Sequence, residues 1–164
     1  MKIYNKRKQN RLQNYDYSQS RIYFVTICAK NGKMVINDCG KIVLENLLKI
    51  TTRFENVFLD EYVVMPNHIH AIIEINNNIV GTDLVSVQNI KGQTQGLSLR
   101  NMGMLSRVVQ AFKSISVGKY IEWSKSKNFF VNTKIWQRSF YDHIIRNEIS
   151  LNKIREYIRT NPGM

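Results

Sequence analysis

The sequence predicts an α+β domain built on an antiparallel sheet, with helices packed on one face of that sheet. Segments rich in β-branched and aromatic residues alternate along the chain with segments whose apolar residues have helical spacing. Two of the β-rich segments are separated only by a short break, which is typical of a hairpin. The 164 residues are enough for one domain with a hydrophobic core. The predicted order is β-(β)-α-β-β-α-β-α.

The first elements follow from residue type and spacing. Residues 21–28 are predicted to form a strand, because isoleucine, tyrosine, phenylalanine, valine and threonine dominate this segment. Asn31-Gly32 is a tight-turn signal, and residues 34–36 are predicted to form a short return strand. From Gly40 to about Arg53 the apolar residues have helical spacing, which predicts the first helix.

A central hairpin is predicted from residues 57–64 and His68–Ile75. Both segments have strand composition, and Pro66 and Asn67 interrupt the pattern between them. The polar, glycine-containing stretch at residues 76–98 is predicted to be an exposed loop. We interpret it as an insertion and not as a domain boundary.

The second half is predicted to contain two helices with a strand between them. An apolar stripe predicts a helix from about residue 102 to residue 120, and residues 133–138 are predicted as a strand. The last helix begins near Asn147, a favourable N-cap residue, and ends at Thr160. Its core-facing residues are expected to be Ile149, Ile154 and Ile158.

The charge of the chain indicates a polyanionic partner. Lysine and arginine number 24 against 12 acidic residues, giving a net charge of +12. Such an excess favours nucleic acid first and a membrane surface second, with a generally basic surface as the alternative. Residues 1–14 are predicted to be a basic arm that lies along phosphates, or else a solvated tail. The arm residues expected to contact DNA are Lys6, Arg7, Lys8 and Arg11.

The sequence predicts a cytoplasmic protein without a membrane partner. Cys28 and Cys39 are not a closely spaced metal pair, and nothing indicates a disulfide framework. The first eight residues lack the apolar core of a signal peptide. No apolar run is long enough to cross a membrane.

His68 and His70 are the main candidates for a functional site. On a strand, residues i and i+2 point to the same face, so the two imidazoles would lie side by side with Ile69 turned into a core. This arrangement offers two nitrogen ligands to a divalent metal. The alternative is two polar residues on the wet face of a half-buried strand.

The last helix contains candidates for a third ligand and a nucleophile. Tyr157 and Asn161 are four residues apart and therefore share one helical face. An amide oxygen of Asn161 could complete a His, His, Asn set, which suits Mg²⁺ or Mn²⁺ acting on a phosphate. Taken alone, a tyrosine at this place on a helix is more often a half-buried core residue.

Several ordered segments resemble one family. The chain is similar to the tyrosine transposases of the HUH endonuclease superfamily, and most of all to the REP-associated branch. The triplet His68-Ile69-His70 has the HUH form of two histidines around one hydrophobic residue. The other matching segments cover nearly the whole chain apart from the middle loop, and they are residues 15–18, 23–28, 63–70, 136–148 and 157–162.

This resemblance implies a ferredoxin-like catalytic domain over residues 15–164. It implies that His68 and His70 bind Mg²⁺ or Mn²⁺, that Asn161 is the third ligand and that Tyr157 is the nucleophile. The activity it implies is cleavage and rejoining of single-stranded DNA at hairpin sequences through a 5′-phosphotyrosine. It also implies a bacterial, cytoplasmic protein that is associated with the nucleoid when bound to DNA.

Residues of the last predicted strand and of the segment before the last helix have further possible roles. Arg138 and Arg146 could grip DNA phosphates, with a solvated basic face as the alternative. His143 could be a third imidazole, a base reader or part of a packed strand end, and the last two are favoured. Tyr141 is a rival nucleophile. Trp136 and Phe140 could stack on bases, although core packing is favoured for Trp136.

Two other functions remain open from the sequence. A non-catalytic RRM-like module would share the α+β sheet and the basic charge, but it requires neither the histidine pair nor Tyr157 with Asn161. A metal-dependent phosphodiesterase generally needs a second histidine motif, which is missing here. The sequence also leaves open whether the site is built within one chain or across a homodimer.

Overall fold

A computed structural model of the chain describes residues 21–30, 36–76, 103–128 and 133–161, with the backbone alone at residues 36–39. The predicted basic arm, with Lys6, Arg7, Lys8 and Arg11, lies outside the described residues. Residues 77–98 of the predicted loop also lie outside them.

The described residues form a four-stranded antiparallel sheet with four helices. The strand order is β2-β3-β1-β4, and the order β-α-β-β-α-β is that of the ferredoxin-like fold. The elements are β1 (Arg21–Cys28), α1 (Ile36–Leu48), α2 (Ile50–Arg53), β2 (Val57–Val64), β3 (His68–Ile75), α3 (Met104–Ser126), β4 (Tyr141–Ile145) and α4 (Glu148–Thr160). The predicted α+β class is confirmed.

Side-chain alternation along the strands divides the core into two layers. On β1, Tyr23, Val25 and Ile27 are buried in the larger cluster, which contains residues of α1 and α3. Ile22 and Phe24 face the other way, against a second cluster that contains residues of α4. Packing of helices on one face therefore holds for α1 and α3, whereas α4 lies on the opposite face.

The apolar stripe of α4 holds that helix on the second face. Leu151 and Ile158 are 5% and 2% exposed, and Ile154 packs beside them. Burial of each such side chain contributes about 1.5–3 kcal/mol. The expectation that Ile149 faces the core is wrong, because its side chain is 72% exposed. Leu151 occupies the buried position one half-turn later.

Some predicted boundaries change in the structure. Ile36 begins α1 and is not part of a return strand, while residues 34 and 35 lie outside the described residues. The first predicted helix starts earlier than Gly40 and is interrupted at Lys49, between α1 and α2. α3 continues to Ser126. The two hairpin strands have the predicted bounds.

The predicted strand at residues 133–138 is wrong, and β4 lies at Tyr141–Ile145 instead. Within the earlier segment, Trp136 forms only an isolated bridge with Ala29. The Nζ of Lys113 on α3 donates hydrogen bonds of 2.9 Å to the carbonyls of Gln137 and Ser139. The Gln137 N–H donates to the Cys28 carbonyl and the Ile135 carbonyl accepts from the Lys30 N–H, so the segment meets only the end of β1 and forms no strand of the sheet.

No helix in the described ranges is long and apolar enough to cross a membrane.

Candidate active site

His68 and His70 form a pair of imidazoles on the face of β3 that carries α4. Their Nε2 atoms are 3.0 Å apart, and their ring centroids are 4.5 Å apart. Ile69 between them is fully buried in the larger core cluster on the opposite face. The pairing of histidines that the sequence predicts is therefore present in the fold.

Each histidine is oriented through its Nδ1 atom. His68 Nδ1 donates to Oδ1 of Asn67, so its Nε2 atom has a lone pair and no proton. His70 Nδ1 lies 2.9 Å from Oγ1 of Thr26, its cross-strand neighbour on β1. A threonine hydroxyl can donate or accept, so Thr26 supports either tautomer of His70. With the proton of His70 on Nδ1, both Nε2 atoms carry a free lone pair and lie 3.0 Å apart.

The environment keeps both imidazoles neutral at neutral pH. Burial lowers the pKa of His68. Burial and, to a smaller extent, the neighbouring His68 lower the pKa of His70 to about 4. The His70 side chain is only 7% exposed. Neutral imidazoles are the form that binds metals, so protons do not compete for these nitrogens near pH 7.

The low pKa of His70 makes stability depend on pH. Between about pH 4 and 6.5 the unfolded chain binds a proton that the folded state does not, so the free energy of unfolding falls as pH decreases. We expect the Tm, measured in a chelator, to fall across this window, and His70→Gln to weaken this dependence. If the Tm of wild-type protein and that of His70→Gln changed equally with pH, the expected effect would be contradicted.

Tyr157 of α4 lies beside this pair. Its Oη is 3.4 Å from Nε2 of His70, and the two ring centroids are 5.5 Å apart. Phe24 stacks on His70 at 5.0 Å and meets Tyr157 edge-on at 6.2 Å, so it supports both rings. Tyr157 is 48% exposed. The hydroxyl is thus both close to the histidines and accessible to a ligand.

Asn161 is on the same helical flank, one turn after Tyr157. Its backbone N–H and its Nδ2 both donate to the carbonyl of Tyr157, at 3.2 and 2.7 Å. In the part of the chain that the structure describes, Asn161 has no hydrogen bond to either histidine. The bond from Nδ2 orients the amide and leaves Oδ1 as its potential ligand atom.

The donor set suits a small divalent ion. Two ligand atoms at right angles on an ion with bonds of about 2.1 Å are about 3.0 Å apart, which matches the separation of the two Nε2 atoms. Among the described residues, no cluster of three His, Cys, Asp or Glu side chains could hold a metal. An amide oxygen of Asn161 and the oxygens of a bound phosphate are therefore the candidates for the remaining positions.

A β-bulge in β2 presents two acidic residues to α4. The register of β2 against β3 shifts by one residue between Leu59 and Tyr62. Asp60 and Glu61 therefore lie opposite a single residue of β3, and both carboxylates reach the same helix.

These two carboxylates pair with two arginines of α4. Arg155 Nε donates to Oδ2 of Asp60 at 2.9 Å, and its Nη2 lies 2.8 Å from the same oxygen. Arg159 Nε donates to Oε1 of Glu61 at 2.9 Å. We call the four residues Asp60, Glu61, Arg155 and Arg159 the helix clamp.

The helix clamp and the tyrosine lie on opposite flanks of α4. Consecutive helical residues are about 100° apart, so Tyr157 and Arg159 lie on either side of the buried Ile158. Arg155 is one turn before Arg159 and shares its flank. The clamp therefore opposes rotation of α4 about its axis, and such a rotation would move Tyr157 away from His70.

Loss of the clamp should affect the position of Tyr157 more than the binding of metal. We expect Arg155→Gln combined with Arg159→Gln to slow any reaction of Tyr157. The reduction should lie between several-fold and about 10²-fold, the effect of a displacement of about 1 Å. The rate of the reaction and Mn²⁺ affinity are measured together. The control is Lys119→Gln, which removes an exposed ion pair of α3. Equal rates for the double variant and the control would argue against the clamp.

The other predicted residues that the structure describes are not in contact with the histidine pair. Arg138, His143 and Arg146 are all exposed, and His143 is therefore not part of a packed strand end. His143 pairs with Phe24 across β4 and β1. Tyr141 pairs with Thr26 and is 55% exposed. Among the described residues, neither Tyr141 nor His143 has a ring contact or hydrogen bond with the histidine pair.

The two other aromatic candidates belong to the core. Trp136 is 8% exposed, packs against Phe112 with the rings tilted by 50° and their centroids 5.4 Å apart, and donates from Nε1 to Oγ of Ser116 at 2.9 Å. Phe140 packs against the same cluster, with Nζ of Lys113 5.8 Å from its ring centroid. The favoured core role of Trp136 is confirmed.

Sequence reasoning missed the residues that support the site. Thr26 and Phe24 are two residues apart on β1, as His68 and His70 are on β3, so each pair shares one face of its strand. Only the pairing of β1 with β3 brings the two pairs together. The acidic pair Asp60 and Glu61 is visible as a break in the alternation of β2. Its partners on α4 are not visible, because they lie about ninety-five residues later.

Comparison with known proteins identifies the chain as a transposase. The family described as "Transposase IS200 like" matches residues 17–104, more than half of the chain. A protein of Haemophilus influenzae with no characterised function is 33% identical over 166 residues, covering 95% of this chain and 88% of the relative. The chain therefore belongs to the IS200-like transposase family.

A solved structure with the same fold is a REP-associated tyrosine transposase bound to a REP hairpin. It matches 93% of this chain and 72% of its own, with a TM-score of 0.59 and 16% identity. Another, described as a transposase of Deinococcus radiodurans R1, matches 94% of this chain and 98% of its own, with a TM-score of 0.49 and 15% identity.

Proposed function

We propose that this transposase cleaves and rejoins single-stranded DNA at hairpin sequences through a 5′-phosphotyrosine on Tyr157, with a divalent metal. One observation carries the proposal: the Tyr157 hydroxyl lies 3.4 Å from a histidine whose Nε2 is 3.0 Å from that of a second histidine. A nucleophile beside a pair of metal ligands is the arrangement that phosphoryl transfer requires.

His68, His70 and the amide oxygen of Asn161 would hold Mg²⁺ or Mn²⁺. When bound, such an ion polarises a non-bridging phosphate oxygen and offsets negative charge in the transition state. Asn67 and Thr26 orient the two imidazoles for this role through their Nδ1 atoms. Burial on the sheet keeps both rings neutral and fixed.

Tyr157 attacks phosphorus in line with the leaving oxygen. The bond from tyrosine oxygen to phosphorus forms as the bond from phosphorus to O3′ breaks, so one phosphodiester replaces another. The phenol loses its proton to solvent, and O3′ leaves as a hydroxyl group. A free phenol has a pKa of about 10, so a divalent ion held by the two histidines would help to activate Tyr157. Attack by another 3′-OH reverses the step and joins the strands without an external energy source.

The proposed partner is hairpin DNA in the bacterial cytoplasm. The related transposase structure contains a REP hairpin, and the net charge of +12 on this chain suits a polyanion. The histidines and the tyrosine meet within a single chain. We therefore propose a site completed in one chain, so that a homodimer is not needed for cleavage.

The proposal is tested with labelled hairpin oligonucleotides that carry single-stranded tails. Because the recognised sequence is unknown, a pool with randomised stems and tails is incubated with the protein and Mn²⁺ or Mg²⁺. We expect a protein–DNA adduct that survives denaturation, is absent with a chelator and releases a free 3′-OH. Cleavage without an adduct would indicate a phosphodiesterase. Binding of the pool without cleavage, and with both histidines dispensable, would indicate an RRM-like module.

A further inference from the structure

The edge strand β4 presents two exposed rings beside the candidate site. Tyr141 is 55% exposed and His143 is also exposed. They are two residues apart on one strand, so they point to the same face of the sheet. Their cross-strand neighbours on β1 are Thr26 and Phe24, which contact His70 on the face that carries α4. Both rings therefore belong to the face of the histidine pair.

Between these rings and Tyr157 lies a strip of the sheet surface formed by Thr26 and Phe24 of β1, which we call the lane. α4 packs against β2 and also touches β3 and β4, but Tyr141 is 55% exposed and His143 is exposed, so the helix leaves both of these rings uncovered. Neighbouring strands are about 4.8 Å apart, which places β4 about 10 Å from β3, with β1 between them. The floor of the lane is formed by Thr26 and Phe24. An extended single strand that crosses β1 could therefore contact the rings of β4 and the tyrosine beside His70 at the same time.

The chemistry along the lane matches single-stranded DNA. Phenol and imidazole rings offer flat faces on which bases of any identity can stack. In the part of the chain that the structure describes, neither Tyr141 nor His143 has a hydrogen bond or ring partner, so both faces are available. Exposed Arg138 and Arg146 lie before and after β4 along the chain, where they can attract phosphates.

We propose that Tyr141 and His143 form a stacking platform for the unpaired nucleotides that flank the scissile phosphate. This inference rests on the proposed function and adds a binding role for residues that the chemistry does not use. The platform holds the strand at one border of the lane while Tyr157 reaches the phosphate from the other border. Tyr141 then acts through its ring and not through its hydroxyl.

The test measures binding and photocrosslinking in the Tyr157→Phe background, which prevents covalent capture. Oligonucleotides carry a hairpin and a tail with 5-iododeoxyuridine at successive positions. We expect crosslinks to Tyr141 or His143 and a loss of affinity on the order of tenfold per lost stacking contact for Tyr141→Ala and His143→Ala. Tyr141→Phe should retain affinity. The matched control is Phe58→Ala, which removes a 44% exposed ring from the opposite edge strand.

The outcomes separate the platform from the catalytic proposal. Full affinity of Tyr141→Ala, equal losses for Phe58→Ala, or loss of affinity in Tyr141→Phe would each overturn the platform. If wild-type protein forms the adduct normally and Tyr141→Ala binds DNA as tightly as its background protein, the platform is rejected and the proposed cleavage chemistry stands. Tail-dependent crosslinks to Tyr141 in a protein that forms no adduct with any hairpin would support the platform and reject the chemistry.

Discussion

Replacing Tyr157 by phenylalanine should abolish the covalent protein–DNA adduct and leave DNA and metal binding intact. The substitution removes only the oxygen that lies 3.4 Å from His70 Nε2. The ring is retained, so its edge-on contacts with Phe24 and His70 remain. Since no other atom replaces the nucleophile, we expect the loss to reach the detection limit. Denaturing gels measure the adduct, and peptide mass spectrometry locates the phosphotyrosine.

Tyr141→Phe is the matched control for this prediction. Tyr141 is similarly exposed, at 55% against 48% for Tyr157, and lies on the same face of the sheet. It should keep the adduct, because it has no described contact with the histidine pair. If Tyr141→Phe lost the adduct and Tyr157→Phe kept it, Tyr141 would be the nucleophile and Tyr157 would not. Equal adduct yields in wild-type protein and Tyr157→Phe would reject Tyr157 as the nucleophile.

Substitution of either histidine of the pair should remove metal binding. His68→Ala or His70→Ala deletes one of two nitrogen ligands. We expect Mn²⁺ affinity to fall by more than about 10²-fold, because loss of an outer-shell partner alone costs 10- to 100-fold. Adduct formation should fall with it. Isothermal titration calorimetry and electron paramagnetic resonance of Mn²⁺ measure binding directly, independently of DNA cleavage.

His143→Ala controls for the general loss of an imidazole. It removes the third of the three histidines in the chain, from an exposed position on β4. We expect unchanged Mn²⁺ affinity in this variant. Equal weakening by all three substitutions would indicate nonspecific surface binding of the ion. Unchanged affinity in both His68→Ala and His70→Ala, with the fold intact by circular dichroism, would reject the site.

Local sequence signals determine much of this protein. The β-rich composition of residues 57–64 and 68–75, interrupted at Pro66 and Asn67, is a local signal, and it predicts the hairpin with the bounds that the structure has. The side chain of Asn147 accepts from the Ser150 N–H at 2.8 Å, as expected for an N-cap. The adjacency of His68 and His70 follows from the alternation of side chains along a strand, which is also local.

The strand predicted at residues 133–138 does not form, and the reason lies outside the segment. The Gln137 carbonyl accepts from Lys113, and Trp136 donates to Ser116, both on α3. The residues of the segment have strand character, but these contacts with a helix some twenty residues earlier hold it so that it forms only an isolated bridge with Ala29. β4 then forms at Tyr141–Ile145 against β1.

The tertiary structure alone decides how the site is assembled. By itself the sequence determines which residues share a face of one strand or one helix, because those periods are local. It does not determine that α4 lies on the face of β3 that carries the histidines, or that Thr26 is opposite His70. Strand order and register, and the bulge that aligns Asp60 and Glu61 with two arginines, arise from contacts between distant segments. These contacts bring Tyr157 to His70, eighty-seven residues away in the chain.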